Sequence, residues 1–413
     1  MNSKAAFRAL LWLFAAVLLV YGAIPIANAL LGESIKDNRT WFEAGQHVLH
    51  GEPLYPQSNE PFPFMYPPTA ALLLAPISLL GSTGLVVALV LVNAVAWCAS
   101  IILALRLATG NWRRAPLVVY LIPNVIISVY AWSNFHLAQP SLLLLALILG
   151  GFVLLQEKRS LLAGGLFAIA AAIKAFPVIV VLYLIYRRQW LAAVSLAITL
   201  TFLLIVLPAP FRGIAQARAD LVRWTQGMLL KYDEGGVAQR PERSYSWKNQ
   251  SIFGFANRML RRVDTDEAMS KRPPVYANVA DLSFPLVNRI IAGAALLLGL
   301  IYIAVMPRRE QRNRETDALE IALFVLLMLL FTPLAFGYLF ACLLFPFAVL
   351  AERVGQHASG RLLAGGIAAV ALLALTIPFQ KTAQTYGNTF FATLILFGAL
   401  ALELWEVKRG AAE

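Results

Sequence analysis

An acidic residue follows the first apolar run of the chain at a point where it could act chemically. It is Asp37, in the stretch IKDNRTWFEAGQHVLHGEPLYP at 35–56. The aromatic and proline-rich residues that come next, through FPFMYPP, indicate a segment packed against the membrane surface. A carboxylate held there can accept a proton from a hydroxyl group. A solvated acid that marks the end of a helix would have the same position, so both interpretations stay open.

Three further candidates lie in or beside later apolar runs. Lys174 is near the middle of LLAGGLFAIAAAIKAFPVIVVLYLIY at 161–186, where a charge costs about 3 kcal/mol on insertion scales. It is expected to contact a structural partner or to bind an anionic group. His136 and Gln139, in NFHLAQPS, end another run and could bind substrate, although a lone histidine usually has a structural hydrogen bond.

A third group of candidates consists of polar residues that lie close together in the sequence. The stretch RSYSWKNQSIFGFANRMLRR contains Lys248, Asn249, Gln250 and Arg258, which offer many hydrogen-bond donors. Such donors could bind a substrate, or they could form a solvated face.

Composition determines the class of protein that carries these residues. The chain has 413 residues, of which 60% are hydrophobic and 14% charged, and its apolar runs have the roughly 18 to 25 residues that a membrane-crossing helix needs. We therefore expect an all-α polytopic membrane protein. The net charge of +12 comes largely from short basic loops, which the positive-inside rule explains without a nucleic-acid partner.

The same basic loops predict the topology. Lys4 and Arg8 precede the first run, and the basic segments QEKRS, PRREQRNRE and EVKRG follow later runs, so both termini are expected in the cytoplasm. Asp37 then faces the other side, in a first outer loop at 32–82. A second, larger outer loop is expected at 211–285, within a single membrane domain that covers 1–413.

The segment at 161–186 has basic residues at both ends and is too short to cross a bilayer twice. We expect a short hairpin broken at IKAFP, because broken backbone at membrane depth requires a protein or cavity environment. Counting this hairpin as two, the sequence predicts about twelve helical transmembrane segments.

Several motifs are absent from the sequence. It has no glycine-rich phosphate loop, no Cys/His cluster with metal-ligand spacing and no paired-carboxylate motif in a soluble domain. We therefore expect no metal and no cofactor, and an activated substrate that is not a nucleotide. For a site facing away from the cytoplasm, this favours a lipid-linked donor.

The ordered motifs resemble glycosyltransferase family 87. The family pattern Asp-x-x-x-Tyr-x-x-Ala followed by Gly-x-x-x-Tyr is represented by Asp37, Trp41, Ala44, Gly51 and Tyr55. Four other pieces follow in order: LAQPSLLLL, AAAIKAFPVIVVL before RRQW, NQSIFGFANR and FTPLAFGYLFACLLFP. Two positions depart from the family pattern: Trp41 replaces a tyrosine, and Tyr338 stands where many members have a histidine, which leaves the identity of the sugar open.

The resemblance implies a glycosyltransferase of the C superfold, in which Asp37 is the general base. Because the phosphate of such a donor gains negative charge as it leaves, we expect Lys174 to bind it, with Lys248 or Arg258 as helpers. The residues expected to bind substrate are Arg39, His136, Gln139, Asn249, Gln250 and Tyr338.

The predicted function is inverting transfer of mannose, or of a pentose such as arabinofuranose, from a polyprenyl-phosphate donor to an acceptor hydroxyl on a glycan, glycolipid or protein. The expected location is a bacterial inner membrane with the site facing the periplasm. The alternative is a secondary transporter that holds an anionic solute at the broken helix pair around Lys174. A weaker third hypothesis is a polysaccharide polymerase or ligase that uses a diphosphate-linked donor.

Overall fold

The computed structural model confirms an all-α polytopic membrane protein. The residues that the structure describes are 3–33, 36–56, 64–112, 115–239, 244–266, 273–357 and 359–410. Parts of both predicted outer loops, at 34–35, 57–63, 240–243 and 267–272, lie outside the described residues, as do Arg113 and Arg114 of a predicted basic loop.

The chain divides into two compact units, residues 1–103 with 128–231 and residues 104–127 with 232–413. The division at 231–232 falls inside the predicted outer loop at 211–285. The prediction of one membrane domain over 1–413 stays a prediction.

The first half of the chain is helical, with two short π-helical stretches at 202–206 and 225–229. Its helices are α1 (Ser3–Leu30), α2 (Lys36–Leu49), α3 (Pro68–Ser78), α4 (Gly81–Thr109), α5 (Leu117–His136), α6 (Ser141–Gln156), α7 (Ser160–Ile173), α8 (Val180–Tyr186), α9 (Trp190–Thr201), α10 (Ala209–Arg212) and α11 (Ile214–Trp224).

The second half begins with a small antiparallel hairpin, β1 (Tyr232–Asp233) with β2 (Gly236–Val237), in which Tyr232 pairs with Val237. Its helices are α12 (Ile252–Leu260), α13 (Phe284–Val305), α14 (Arg314–Phe331), α15 (Leu344–His357), α16 (Gly360–Ala374), α17 (Thr376–Thr385) and α18 (Asn388–Gly410).

The predicted count of about twelve spans is not confirmed. Within the described ranges, seven helices are long and apolar enough to cross a membrane, or eight if the α16–α17 pair, bent by 90°, is one span. Four further apolar helices are shorter. Helix α14, whose first turns contain charged residues, is not among these candidates.

The predicted break at IKAFP is confirmed. Helix α7 ends at Ile173, Lys174 is extended with φ −150° and ψ 125°, and a short 3₁₀ turn at Phe176–Ile179 precedes α8. Pro177 has no backbone N–H and crowds the preceding turn, so the α-helix does not continue through this point.

The predicted first outer loop contains two packed helices, α2 and α3. Helix α2 buries Trp41, Ala44 and Val48 in a cluster that includes Leu74 of α3. Gly45 permits α2 to approach α3 closely, since a Cβ at this position would lie 2.7 Å from the Ser78 hydroxyl oxygen. Helices α2 and α3 therefore form a packed platform, and its apolar cluster also includes Ala138 and Trp224 from elsewhere in the chain.

Two adjacent glycines in α7 give a matched test of helix packing. At Gly164 a Cβ would overlap the Ala192 carbonyl and lie 2.7 Å from Ser195 Cβ, whereas at Gly165 it meets open space. Gly164→Ala is expected to lower the free energy of unfolding by about 1–3 kcal/mol through overpacking. Gly165→Ala is expected to be neutral or stabilising by up to about 1 kcal/mol through helix propensity.

Thermal unfolding in one detergent checks both variants. Equal effects of the two substitutions would contradict this packing.

Candidate active site

The predicted general base lies at the start of α2. Asp37 is in the first turn, where the helix dipole stabilises a negative charge. Trp41 lies one turn later on the same face, is buried, and has its ring centroid 4.3 Å from that of Tyr66. Burial of Trp41 therefore fixes the face from which Asp37 projects.

The turn after α5 places Gln139 beside this acid. Ala138 takes a left-handed conformation with φ 50°, and the Gln139 N–H donates to the Asn134 carbonyl at 2.9 Å, which closes the helix in a Schellman-type turn. The side chain of Gln139 is buried, and its Nε2 donates to Asp37 Oδ2 at 2.9 Å. The structure thus brings together two of the predicted site residues.

The Gln139 amide lies between Asp37 and Tyr66. Because an ionised carboxylate only accepts hydrogen bonds, the amide presents its NH₂ group to Asp37, and the Tyr66 hydroxyl donates to Gln139 Oε1 at 2.6 Å. The Tyr66 carbonyl in turn accepts a 2.6 Å hydrogen bond from the Tyr55 hydroxyl. Burial raises the pKa of the Tyr55 phenol well above its usual value, so this donor stays protonated.

The same tyrosine contacts the predicted cation. Lys174 Nζ lies 5.5 Å from the centroid of the Tyr66 ring, which is within cation–π range. The break after α7 therefore directs the ammonium group toward the ring whose hydroxyl donates to Gln139. Sequence reasoning did not assign Tyr66 a role; its only signal was its place before the two prolines of FMYPP.

Oδ1 of the Asp37 carboxylate accepts no hydrogen bond from the described residues. Among the described residues, Gln139 is the one hydrogen-bond donor to this side chain, through Oδ2. The carboxyl group is partly exposed, so Oδ1 can receive a proton from a bound hydroxyl group.

A buried ion pair holds the end of α2 and the residues directly after it. Arg212 and Asp220 pair at 2.7 Å with side chains 1% and 4% exposed. Arg212 also donates to the carbonyls of His47 and Glu52, at 3.0 and 2.6 Å, and Asp220 accepts from the Leu54 N–H at 3.4 Å. Sequence reasoning missed this pair because two charges eight residues apart in a polar loop do not indicate their partners.

Two other predicted residues of this unit have different surroundings. Arg39 is exposed and pairs with Glu43 at 2.6 Å along α2, so its role in substrate binding stays a prediction. His136 stacks on Trp132 with centroids 5.3 Å apart. Its Nδ1 is buried and has no hydrogen-bond partner in the described part of the chain.

The second unit contains the remaining predicted residues, and three of them form a buried cluster. Asn249 Nδ2 donates to the Ser244 and Pro333 carbonyls, each at 2.9 Å, and Gln250 Nε2 donates to the Trp247 and Gln384 carbonyls at 2.6 and 2.7 Å.

The guanidinium of Arg258 is fully buried and donates to four carbonyls, two of them at the end of α17. The acceptors are Ser246 at 2.8 Å, Asn249 at 2.7 Å, and Gln384 and Thr385 at 3.2 Å each. Burial lowers its pKa to about 9, which leaves the side chain charged at neutral pH. Its observed contacts are to backbone, so donor-phosphate binding by Arg258 stays a prediction.

Lys248 and Tyr338 are half-buried. Lys248 Nζ lies 5.2 Å from the ring of Trp247, and the Tyr338 ring lies 6.1 Å from that of Phe336. Their predicted contacts with substrate stay predictions. Over the ranges described, no three His, Cys, Asp or Glu side chains form a group that could hold a metal ion.

Burial of the Arg258 guanidinium predicts a large stability effect. Arg258→Lys is expected to lower the free energy of unfolding by about 2–4 kcal/mol, since one ammonium cannot reach all four carbonyls and buried acceptors left unpaired are costly. The matched control is Arg262→Lys, because Arg262 is exposed against the Tyr276 ring at 5.0 Å.

Chemical unfolding of both variants in detergent measures the difference. A loss for Arg258→Lys no larger than that of the control would show that the cluster does not stabilise this unit.

Comparison with known proteins gives one match. The sequence model of glycosyltransferase family 87 matches residues 64–333, which is more than half of the chain. This range includes Tyr66, Gln139, Lys174 and Arg258, whereas Asp37 and Tyr338 lie outside it. No protein of curated function and no solved structure matches the chain.

Proposed function

Because the chain belongs to glycosyltransferase family 87 and is a membrane glycosyltransferase, we propose that it transfers a sugar from a polyprenyl-phosphate donor to an acceptor hydroxyl with inversion at the anomeric carbon. The family match favours a transferase over the secondary transporter that the broken helix pair also suggests. The proposal places the site on the periplasmic side of a bacterial inner membrane, in agreement with the basic loops.

The observation that carries the proposal is the environment of Asp37. A general base needs a carboxylate that is held in position and still has an oxygen available to the proton. Gln139 holds Oδ2 at 2.9 Å, so the group that orients the carboxylate is an uncharged donor. Oδ1 is the atom that takes the proton.

A single displacement then needs only this base. The acceptor oxygen loses its proton to Asp37 and forms a bond to the anomeric carbon, while the bond from that carbon to the phosphate oxygen breaks on the opposite face. The lipid phosphate leaves with an additional negative charge, which a nearby cation stabilises more in the transition state than in the ground state.

Lys174 is the cation that this mechanism assigns to the phosphate. It lies on the extended residue between α7 and the 3₁₀ turn, in a segment apolar enough to accommodate a lipid-linked substrate. Its contact with the Tyr66 ring links the cation to the group that donates to Gln139. His136 is retained as a candidate substrate-binding residue of the same unit.

The direct test is a transfer assay with the purified full chain in proteoliposomes. We expect it to consume one member of a panel of polyprenyl-phosphate sugars that includes mannose and arabinofuranose, and none of the corresponding nucleotide sugars. Transfer from a nucleotide sugar, or from a diphosphate-linked donor alone, would contradict the proposed donor class.

Asp37→Asn tests the base in the same assay. The amide oxygen can still accept the Gln139 hydrogen bond, but it cannot remove a proton, so the rate is expected to fall by roughly 10²–10⁴-fold. The control is Glu43→Gln on the same helix, where only a partly exposed ion pair is lost, and near-wild-type transfer is expected. An Asp37→Asn enzyme with undiminished turnover would exclude Asp37 as the base.

Lys174→Met tests the cation. We expect a loss of about 10²-fold or more in transfer, in line with removal of one group that stabilises developing charge, and partial recovery in Lys174→Arg. Lys158→Met, which removes an exposed cation from the turn between α6 and α7, should leave the rate unchanged. Equal rates for the Lys174 and Lys158 variants would remove Lys174 from the mechanism.

A further inference from the structure

A group of basic residues lies where the ends of two candidate membrane helices meet. Helix α13 ends at Val305 and α18 ends at Gly410. Lys408 Nζ donates to the Ala304 carbonyl at 2.9 Å, and Gln311 Nε2 donates to the Lys408 carbonyl at 3.3 Å. The segment after α13 is thereby fixed against the last turn of α18, at the level where both helices leave the apolar layer.

Four cations form this surface, which we call the α13–α18 basic surface: Arg308, Arg309, Lys408 and Arg409. Both arginines after α13 are exposed, as is Arg409. Trp405 lies among them, with its ring centroid 5.2 Å from Lys408 Nζ and 4.8 Å from the Arg409 guanidinium carbon. Tryptophan is enriched at the membrane–water interface. Its presence here agrees with the ends of α13 and α18 lying at that interface.

The four cations differ from other basic residues of the same unit. Arg312 pairs with Asp317 at 2.8 Å, Arg353 with Glu403 at 2.7 Å, and Arg361 with Glu406 at 2.6 Å. None of the four has a carboxylate within ion-pair distance among the residues described. Topology alone requires basic residues at a helix end, but it does not require them to stay unpaired beside a tryptophan while their neighbours are neutralised.

We infer that the α13–α18 basic surface binds the headgroup of an anionic phospholipid. A phosphodiester accepts charge-assisted hydrogen bonds from guanidinium groups, and the acyl chains of the same lipid would lie along the apolar sides of α13 and α18. A basic cluster immediately beyond a membrane helix is the arrangement that attracts anionic lipid. Free phosphate shares the headgroup chemistry, but it lacks the contact with the apolar helices.

The test is thermal unfolding of the full chain in detergent, titrated with phosphatidylglycerol, phosphatidylcholine or inorganic phosphate. Phosphatidylglycerol is expected to raise the unfolding temperature, whereas the other two are not. In the variant Arg308→Gln/Arg309→Gln/Arg409→Gln, the apparent affinity for phosphatidylglycerol should fall at least about tenfold, because each basic residue near an anionic lipid contributes about fivefold.

A matched control removes three cations from other helix ends: Lys158→Gln/Arg159→Gln/Arg188→Gln. All three are exposed, at the turns after α6 and α8, and their loss should leave the lipid effect intact. An equal loss of affinity for phosphatidylglycerol in the two triple variants would show that only the net charge of the protein matters, and it would overturn the assignment. A comparable shift with inorganic phosphate would also overturn it, in favour of a small-anion site.

Each variant is compared with its own lipid-free unfolding temperature. A general loss of stability is therefore separated from a loss of lipid binding.

Discussion

The hydrogen bond from the Gln139 amide to the Asp37 carboxylate is the interaction on which the geometry of the candidate site depends. An amide can serve here because it accepts on one side and donates on the other. The Tyr66 hydroxyl donates to the amide oxygen of Gln139, and the amide nitrogen donates to Asp37. A cation in the place of Gln139 would orient the carboxylate equally well, but it would also stabilise the charged form that has to take up a proton.

This interaction is maintained by charges that take no part in it. Arg212 and Asp220 are buried together, and their remaining hydrogen-bonding capacity is used by backbone groups between His47 and Leu54. A buried ion pair contributes little net stability by itself, but removal of one partner leaves an uncompensated charge. The pair therefore acts as a cross-link that specifies one path for the chain between His47 and Leu54.

Local signals in the sequence were enough to predict the class of fold and the position of the helix break. Long apolar runs predict spans, and Pro177 after Lys174 predicts the interruption, because each effect acts within a few residues. The structure of α2 was missed because its apolar face is narrow and sits in a polar segment. The roles of Asn249, Gln250 and Arg258 could not be predicted from the sequence. Their side-chain donors could bind either a substrate or a backbone carbonyl, and only the tertiary structure shows that they donate to carbonyls.

The bond between Arg212 and the His47 carbonyl joins residues 165 positions apart in the chain. During synthesis the segment after α2 leaves the ribosome long before its partner, and several membrane helices must insert in the interval. Closing such a long loop is slow compared with forming local helices. The platform that carries Asp37 is therefore expected to mature late, after the helices between α2 and α10 are in place, which delays activity until those helices have packed.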